Sequence, residues 1–374
     1  MGPRAELALE VLEGRKAKGI PSWILHVMEH RFIEKFAGAQ PGDYVKNHAQ
    51  VYLDCQHELG ACMVDQYIPD NPLSIGPHGY EGGALGATTG ATEIVLDGLV
   101  IDSPEAVCQH LEQFVFPALE ARPAPDEAAI AQAIIASEQS VQAFIEPWDL
   151  LKTPYGIAPF PYLAYGSYGY AYYFMACTLY PEVIERHFSL QADWAEQYNR
   201  GVVRAYDEGH LPRFLRLDHD MADSRSTLNR VDWLDSYWFP HFERSIRPLV
   251  DAGIDCIWHC DGNLMAMVPR LLDCGLVGFQ GFQYEDGMDY ERICEMKTRE
   301  GDELLIIAGV SVTRALPFGT PEDVKRELDF LVEHGPKGRL FLGCSSSIAP
   351  GVPWENLVAL RDGLAWYREH GRKG

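Results

Sequence analysis

Short apolar, β-prone runs that end in polar or glycine-rich residues recur along the chain, and most are followed by a longer stretch of helical periodicity. That alternation is the pattern of parallel βα units. The runs are SWILH (22–26), MVDQYI (63–68), PYLAY (161–165), FLRLD (214–218), CIWHC (256–260), VGFQGFQ (277–283), LLIIAGV (304–310) and RLFLGC (339–344). Eight is the strand number of a TIM (β/α)8-type barrel, so the pattern predicts α/β architecture of that type, preceded by an N-terminal helix.

Helical connections are clearest over 181–209, 234–253 and 320–335. In the last of these, Thr320 stands as N-cap, Pro321 at the first helical position and acidic residues in the first turn, with Gly335 at the stop. TEIVLDGLVIDSPE (92–105) reads instead as two extended segments joined at Asp97-Gly98, a β-hairpin inserted between the second and third barrel strands. The length of 374 residues suggests two or three domains at about 150 residues each. No repeat, linker or low-complexity tract divides the pattern, so residues 1–374 are read as one barrel domain.

Charge changes the picture of partners. There are 31 Lys and Arg against 54 Asp and Glu, a net charge of −23. Such a surface repels phosphate backbones and anionic headgroups, so neither nucleic acid nor membrane is an expected partner. No run approaches the ~18 apolar residues of a membrane span. The opening MGPRAELALEVLEGRKAKG lacks the apolar core of a signal peptide, so a cytoplasmic location is expected. Nine cysteines, spread from Cys55 to Cys344 without CxxC pairs, suit reduced thiols that mostly fill the core.

In such a barrel the active site is built at the C-terminal ends of the strands. In IWHCDGN, strand alternation gives His259 and Asp261 one direction and Cys260 the other. The sixth run leads into Glu285 beside a glycine turn, and the eighth ends at Cys344. One imidazole, two carboxylates and a thiol converging there would suit Zn²⁺. The alternative is that Cys344 packs in the core and that Asp261 and Glu285 bond loop amides or Arg314. In the fourth run Arg216, Asp218 and Asp220 share a face, which can hold substrate or act in acid/base chemistry; the plainer reading is an ion pair filling the barrel. His26 and His30 lie near the end of the first run, and Asp65 and Asp70 follow from the second. The aromatic, glycine-rich stretch 154–174 offers Tyr165 as a pocket residue. No GxGxxG, GxxxxGK[ST] or GxSxG is present, so dinucleotide, P-loop and nucleophile-elbow chemistry lack their usual support.

The chain resembles the uroporphyrinogen decarboxylase superfamily, which includes the decarboxylase and the zinc-dependent methyltransferases of corrinoid methyl-transfer systems. The resemblance is carried by PSW (21–23), APFPYLAY (158–165), LYPEVIERHF (179–188), the stretch from Trp258 to Asp289 containing HCDGN and EDGMD, LPFGTPEDVKREL (316–328) and IAPGVPWENL (348–357). It implies one TIM-type barrel and makes a homodimer an expectation. Where the decarboxylase carries an arginine pair for its substrate's carboxylates, this sequence has His26 and His30. Tyr165 matches the decarboxylase tyrosine and Asp65 its catalytic aspartate. His259 matches the histidine of the methyltransferases' HxC, Asp261 replaces the first cysteine, and Cys344 lies close to the second. Glu285 is similar to an acidic ligand in cobalamin-independent methionine synthases.

The resemblance therefore implies a methyltransferase with zinc held by His259, Asp261, Glu285 and Cys344, and a corrinoid carried by a partner protein rather than bound permanently. Asp218, Tyr165 and Asp65 would be catalytic, and His26, His30, Arg216 and Asp220 would bind a small-molecule substrate. The alternatives are a cofactor-free carboxy-lyase of the decarboxylase type and a non-catalytic ligand-binding barrel.

Overall fold

The computed structural model describes residues 1–78 and 93–372. Its strands are β1 (Ser22–Trp23), β2 (Met63–Val64), β3 (Val95–Leu96), β4 (Leu99–Val100), β5 (Leu151–Lys152), β6 (Phe214–Asp218), β7 (Asp255–His259), β8 (Gly278–Gln280), β9 (Leu305–Val310) and β10 (Leu340–Cys344). Eight of them form one parallel sheet in the order β5-β2-β1-β10-β9-β8-β7-β6. The sheet curls until its two edges approach, and a parallel bridge between Tyr155 and Arg216 joins β5 to β6. The architecture is that of a TIM-like barrel.

β3 and β4 make a separate antiparallel hairpin between β2 and β5, pairing Val95 with Val100 and Leu96 with Leu99. Asp97 and Gly98 both have positive φ, 49° and 81°, as the mirror-image turn of a two-residue hairpin requires. Thr92, where the sequence begins this insertion, lies outside the described residues.

The third barrel strand corrects the sequence reading. PYLAY is not a strand: Tyr165 opens a short helix, Tyr165–Tyr168, and the preceding residues are irregular. Pro159 and Pro161 remove two ladder donors, which bars that run from the middle of a sheet whatever its aromatic content. The strand is β5, two residues long, paired with β2 through Met63↔Leu151 and Val64↔Lys152.

Alternation along the strands separates two apolar layers. Trp23, Leu25, Met63, Leu151, Phe214, Ile257, Leu305, Ile307 and Phe341 pack together inside the barrel, with Ala5, Ala8, Val11 and Leu12 of the N-terminal helix Pro3–Leu12 as a floor. Their neighbours in sequence, such as Leu215, Leu217, Trp258, Phe279, Leu340 and Leu342, face the surrounding helices. An apolar floor leaves the C-terminal ends of the strands as the place where inward residues turn polar.

The long helix Pro181–Gly209 packs on Glu127–Ile145 and Phe239–Asp251. The stretch 234–253 is broken at Trp238 into the end of Val231–Tyr237 and the whole of Phe239–Asp251, with Pro240 in the first turn of the second helix. The helix Pro321–His334 carries a full capping box: Thr320 Oγ1 accepts from the Asp323 amide and the Asp323 carboxylate accepts from the Thr320 amide. All nine cysteines are free and buried. No described helix is long and apolar enough to cross a membrane.

Candidate active site and metal centre

Above the apolar floor sits a buried ion network. Arg216, on the inner face of β6, donates from Nε to Asp65 Oδ2 at 2.6 Å, from one terminal nitrogen to Asp218 Oδ2 at 2.7 Å and from the other to Gln66 Oε1 at 3.2 Å. Trp23 Nε1 donates to Asp65 Oδ1 at 2.9 Å, and Tyr155 donates to Asp218 Oδ2 at 2.9 Å. The guanidinium also lies over the Tyr155 ring, 4.5 Å from its centroid. Burial alone would raise the Asp65 carboxyl, but Arg216 and these donors outweigh it and hold it below its usual range. Burial likewise works against the Arg216 charge, and Asp65 and Asp218 reverse it. A buried ion held on both sides positions its partners; it has little left for substrate.

Asp218 is the exposed end of this network, with 28% of its side chain accessible. It lies abreast of His259 on β7, which in turn pairs with Gln280 on β8. Just beyond, Asp220, His259 and Asp261 bring one ligand atom each to within 4.8 Å of one another. The Asp261 amide donates to Asp220 Oδ1 at 3.1 Å, and Ser346 Oγ donates to Asp261 Oδ2 at 3.2 Å. Asp261 Oδ1 and His259 Nδ1 are buried without a partner. Burial pushes the Asp261 carboxyl above its usual range; His259 opposes the shift and Asp220 adds to it. Two carboxylates and an imidazole, crowded and part-satisfied, form an arrangement that a divalent cation would complete.

Two glycines make this packing possible. Gly262 has φ 85° and approaches the 222–223 backbone so closely that a Cβ would lie 2.5 Å from the Asp223 carbonyl oxygen. Gly281 has φ 86°, and a Cβ there would lie 2.6 Å from His259 Nδ1. Either substitution would strain the backbone and displace the site.

The structure does not bring Glu285 or Cys344 into this cluster. Glu285 is held instead by the loop after β9, one oxygen accepting from Ser311 Oγ at 2.6 Å and from the Thr313 hydroxyl and the other buried without a partner. Cys344 shares its face of β10 with Leu340 and Leu342 and packs toward the helices, while Phe341 of the same strand points inward. Burial pushes its thiol up to about 11.

Of the remaining predicted residues, Tyr165 donates to the Asp220 carbonyl at 2.7 Å and stacks on His219 with ring centroids 5.7 Å apart, so it supports the cluster through the backbone. His26 is buried, with Nδ1 3.3 Å from the Tyr52 hydroxyl and Nε2 unpartnered, and burial pushes it down to about 4. His30 lies 3.0 Å from the Pro72 carbonyl, in the short helix Asn71–Ser74, and edge-on to Tyr44 of the helix Asp43–Lys46. His26 is thus neutral rather than a cation poised at the barrel mouth.

Sequence reasoning missed Tyr155, Thr153 and Gln280. Misplacing the third strand hid Thr153 and Tyr155, whereas alternation within VGFQGFQ was enough to turn Gln280 inward opposite Phe279.

No known family's sequence model matches the chain, and no curated protein matches it in sequence. Among solved structures it is similar to a methyltransferase from Methanosarcina mazei, with a TM-score of 0.56 and 15% identity over 98% of this chain and 99% of that one. At that identity the likeness is one of fold, and it extends over the whole length of both chains.

Proposed function

We propose that the chain is a metal-dependent methyltransferase of a corrinoid-linked system, with the corrinoid carried by a partner protein. The observation that carries the reading is the trio Asp220, His259 and Asp261 at the C-terminal mouth of the barrel, with a carboxylate oxygen and a ring nitrogen buried and unpartnered. The whole-length fold likeness to a methyltransferase is consistent with it.

The trio would hold the ion, and Ser346 would fix the Asp261 carboxylate from behind. Zinc bound there would supply Lewis-acid activation, of the kind that makes a thiol a nucleophile near neutral pH. Arg216 and Tyr155 hold Asp218 beside His259, where its accessible oxygen faces the mouth and can orient substrate. Tyr165 fixes the backbone at Asp220. With no thiolate in the set, carboxylate and imidazole donors make the ion harder and more electrophilic than a cysteine-rich site would. The carboxy-lyase alternative lacks comparable support, because the buried guanidinium of Arg216 is already engaged by two carboxylates.

Metal analysis of protein purified without a histidine tag tests the reading. About one equivalent of a divalent metal is expected, with His259→Ala and Asp261→Ala each weakening affinity by at least the roughly 10–100-fold typical of losing a mere outer-shell partner. Negligible metal that added zinc does not restore would sink it.

A further inference from the structure

We infer that the group accepted at this mouth carries a neutral or cationic hydrogen-bond donor, and that Gln280 and Asp218 recognise it. The inference rests on the metal-bearing site proposed above and names its substrate class: a small thiol bearing an alcohol or amine, rather than a carboxylate.

Gln280 is 2% exposed and faces into the barrel, abreast of His259. Its Nε2 donates to the Ser345 carbonyl at 3.1 Å, which fixes the orientation of the amide and leaves Oε1, an acceptor only, without a partner. On the same inner face Thr153, fully buried at the end of β5, also has an unpartnered hydroxyl. The Thr153 hydroxyl can turn to donate or accept, so Gln280 Oε1 is the atom that discriminates: a ligand donor completes it, and a carboxylate ligand offers none.

Charge points the same way. Asp65, Asp218, Asp220 and Asp261 stand against Arg216, whose donors are spent on Asp65, Asp218 and Gln66. Of the cations in the loops that follow the strands, Arg31 and Arg225 are exposed and paired with Glu29 and Asp223, and Arg314, exposed after β9, lines a cleft together with Glu285. A bound divalent ion still leaves the mouth acidic, so an anionic substrate tail meets repulsion and an ammonium or hydroxyl does not.

Cysteamine, mercaptoethanol and mercaptopropionate differ in little but the tail. Each is titrated calorimetrically into the full chain, zinc-loaded and metal-free, with metal content measured separately. Cysteamine and mercaptoethanol should bind about tenfold or more tightly than mercaptopropionate, and Gln280→Met should remove most of that margin while leaving mercaptopropionate unchanged. Asp218→Asn should shrink the advantage of cysteamine over mercaptoethanol. Because Gln280 and Asp218 set the order, it persists in metal-free protein at lower affinity. Failure to load metal therefore counts against the methyl-transfer reading alone. Mercaptopropionate binding as tightly as the others, a ranking unaltered by Gln280→Met, or no binding of any of the three to either form overturns the inference.

Discussion

Cys344 and Asp261 sit at the ends of their strands with opposite consequences, and parity decides which of them meets the metal. Counting back from Cys344 by twos reaches Leu342 and Leu340, both against the helices, so its thiol is turned from the mouth. The inward position is Ser345, whose hydroxyl accepts from the Val312 amide. Cys344→Ser should therefore leave metal occupancy unchanged, while Asp220→Ala should lower metal affinity by at least the roughly 10–100-fold typical of losing an outer-shell partner; inductively coupled plasma analysis of the dialysed variants checks both. The same alternation that correctly set Cys260 apart from His259 was available for the eighth run, so the error at Cys344 was legible in the sequence. The position of Glu285 was not: it depends on where the loop after β8 runs, which no local period encodes. Asp218 and Arg216 illustrate a third case, where the plainer reading of an ion pair inside the barrel is what the side chains form. Arg216→Met removes the shared cation of two buried carboxylates and should destabilise the fold by about 3–5 kcal/mol in chemical denaturation, with a smaller loss for Asp218→Asn, since Asp218 keeps access to water.

Elements with strong local signals were read closely from the chain, and the short ones were not. β6 coincides with FLRLD, and the helix Pro181–Gly209 with its sequence segment, because apolar spacing persists through several turns or a full strand there. β5 has only two residues, Leu151 and Lys152, and its existence is decided by pairing with β2 and by the bridge to β6. No period can be read from two residues, so the aromatic run ten positions later attracted the assignment. Prolines at 159 and 161 were the available warning. The capping box at Thr320 shows the opposite situation, in which one residue announces an element. Thr320→Ala removes the side-chain acceptor for the Asp323 amide and should cost about 0.5–2 kcal/mol in thermal or urea unfolding. Thr320→Ser should retain most of the stability, because the hydroxyl is kept.

Across the whole molecule, pH should act through buried histidines as well as through the net charge of −23. Burial pushes His26, His187 and His219 down to about 4. Each is neutral when folded and protonates more readily once unfolded, so the stability each contributes is fully present above the unfolded pKa of about 6.5 and is lost as pH falls toward 4. Asp255, Asp261 and Glu327 are raised by burial and work in the opposite sense, favouring the folded state as pH falls into the carboxylate range. Titration of surface carboxylates also relieves self-repulsion at low pH. The two effects separate by window, since carboxylates with ordinary values hardly titrate above pH 5.5 whereas the unfolded-state histidines do. His187 isolates the histidine effect: it lies far in sequence from the cluster, on the helix Pro181–Gly209 against Phe116, Tyr162 and Phe188, with burial as the cause of its shift. Between pH 6.5 and 5.5 the free energy of unfolding should fall with decreasing pH, each such histidine adding up to ~1.4 kcal/mol per unit. His187→Gln should flatten that slope by about one histidine's share in urea titrations at several pH values. An unchanged slope would mean that His187 protonates in the folded chain, and that the helix opens locally before the barrel does.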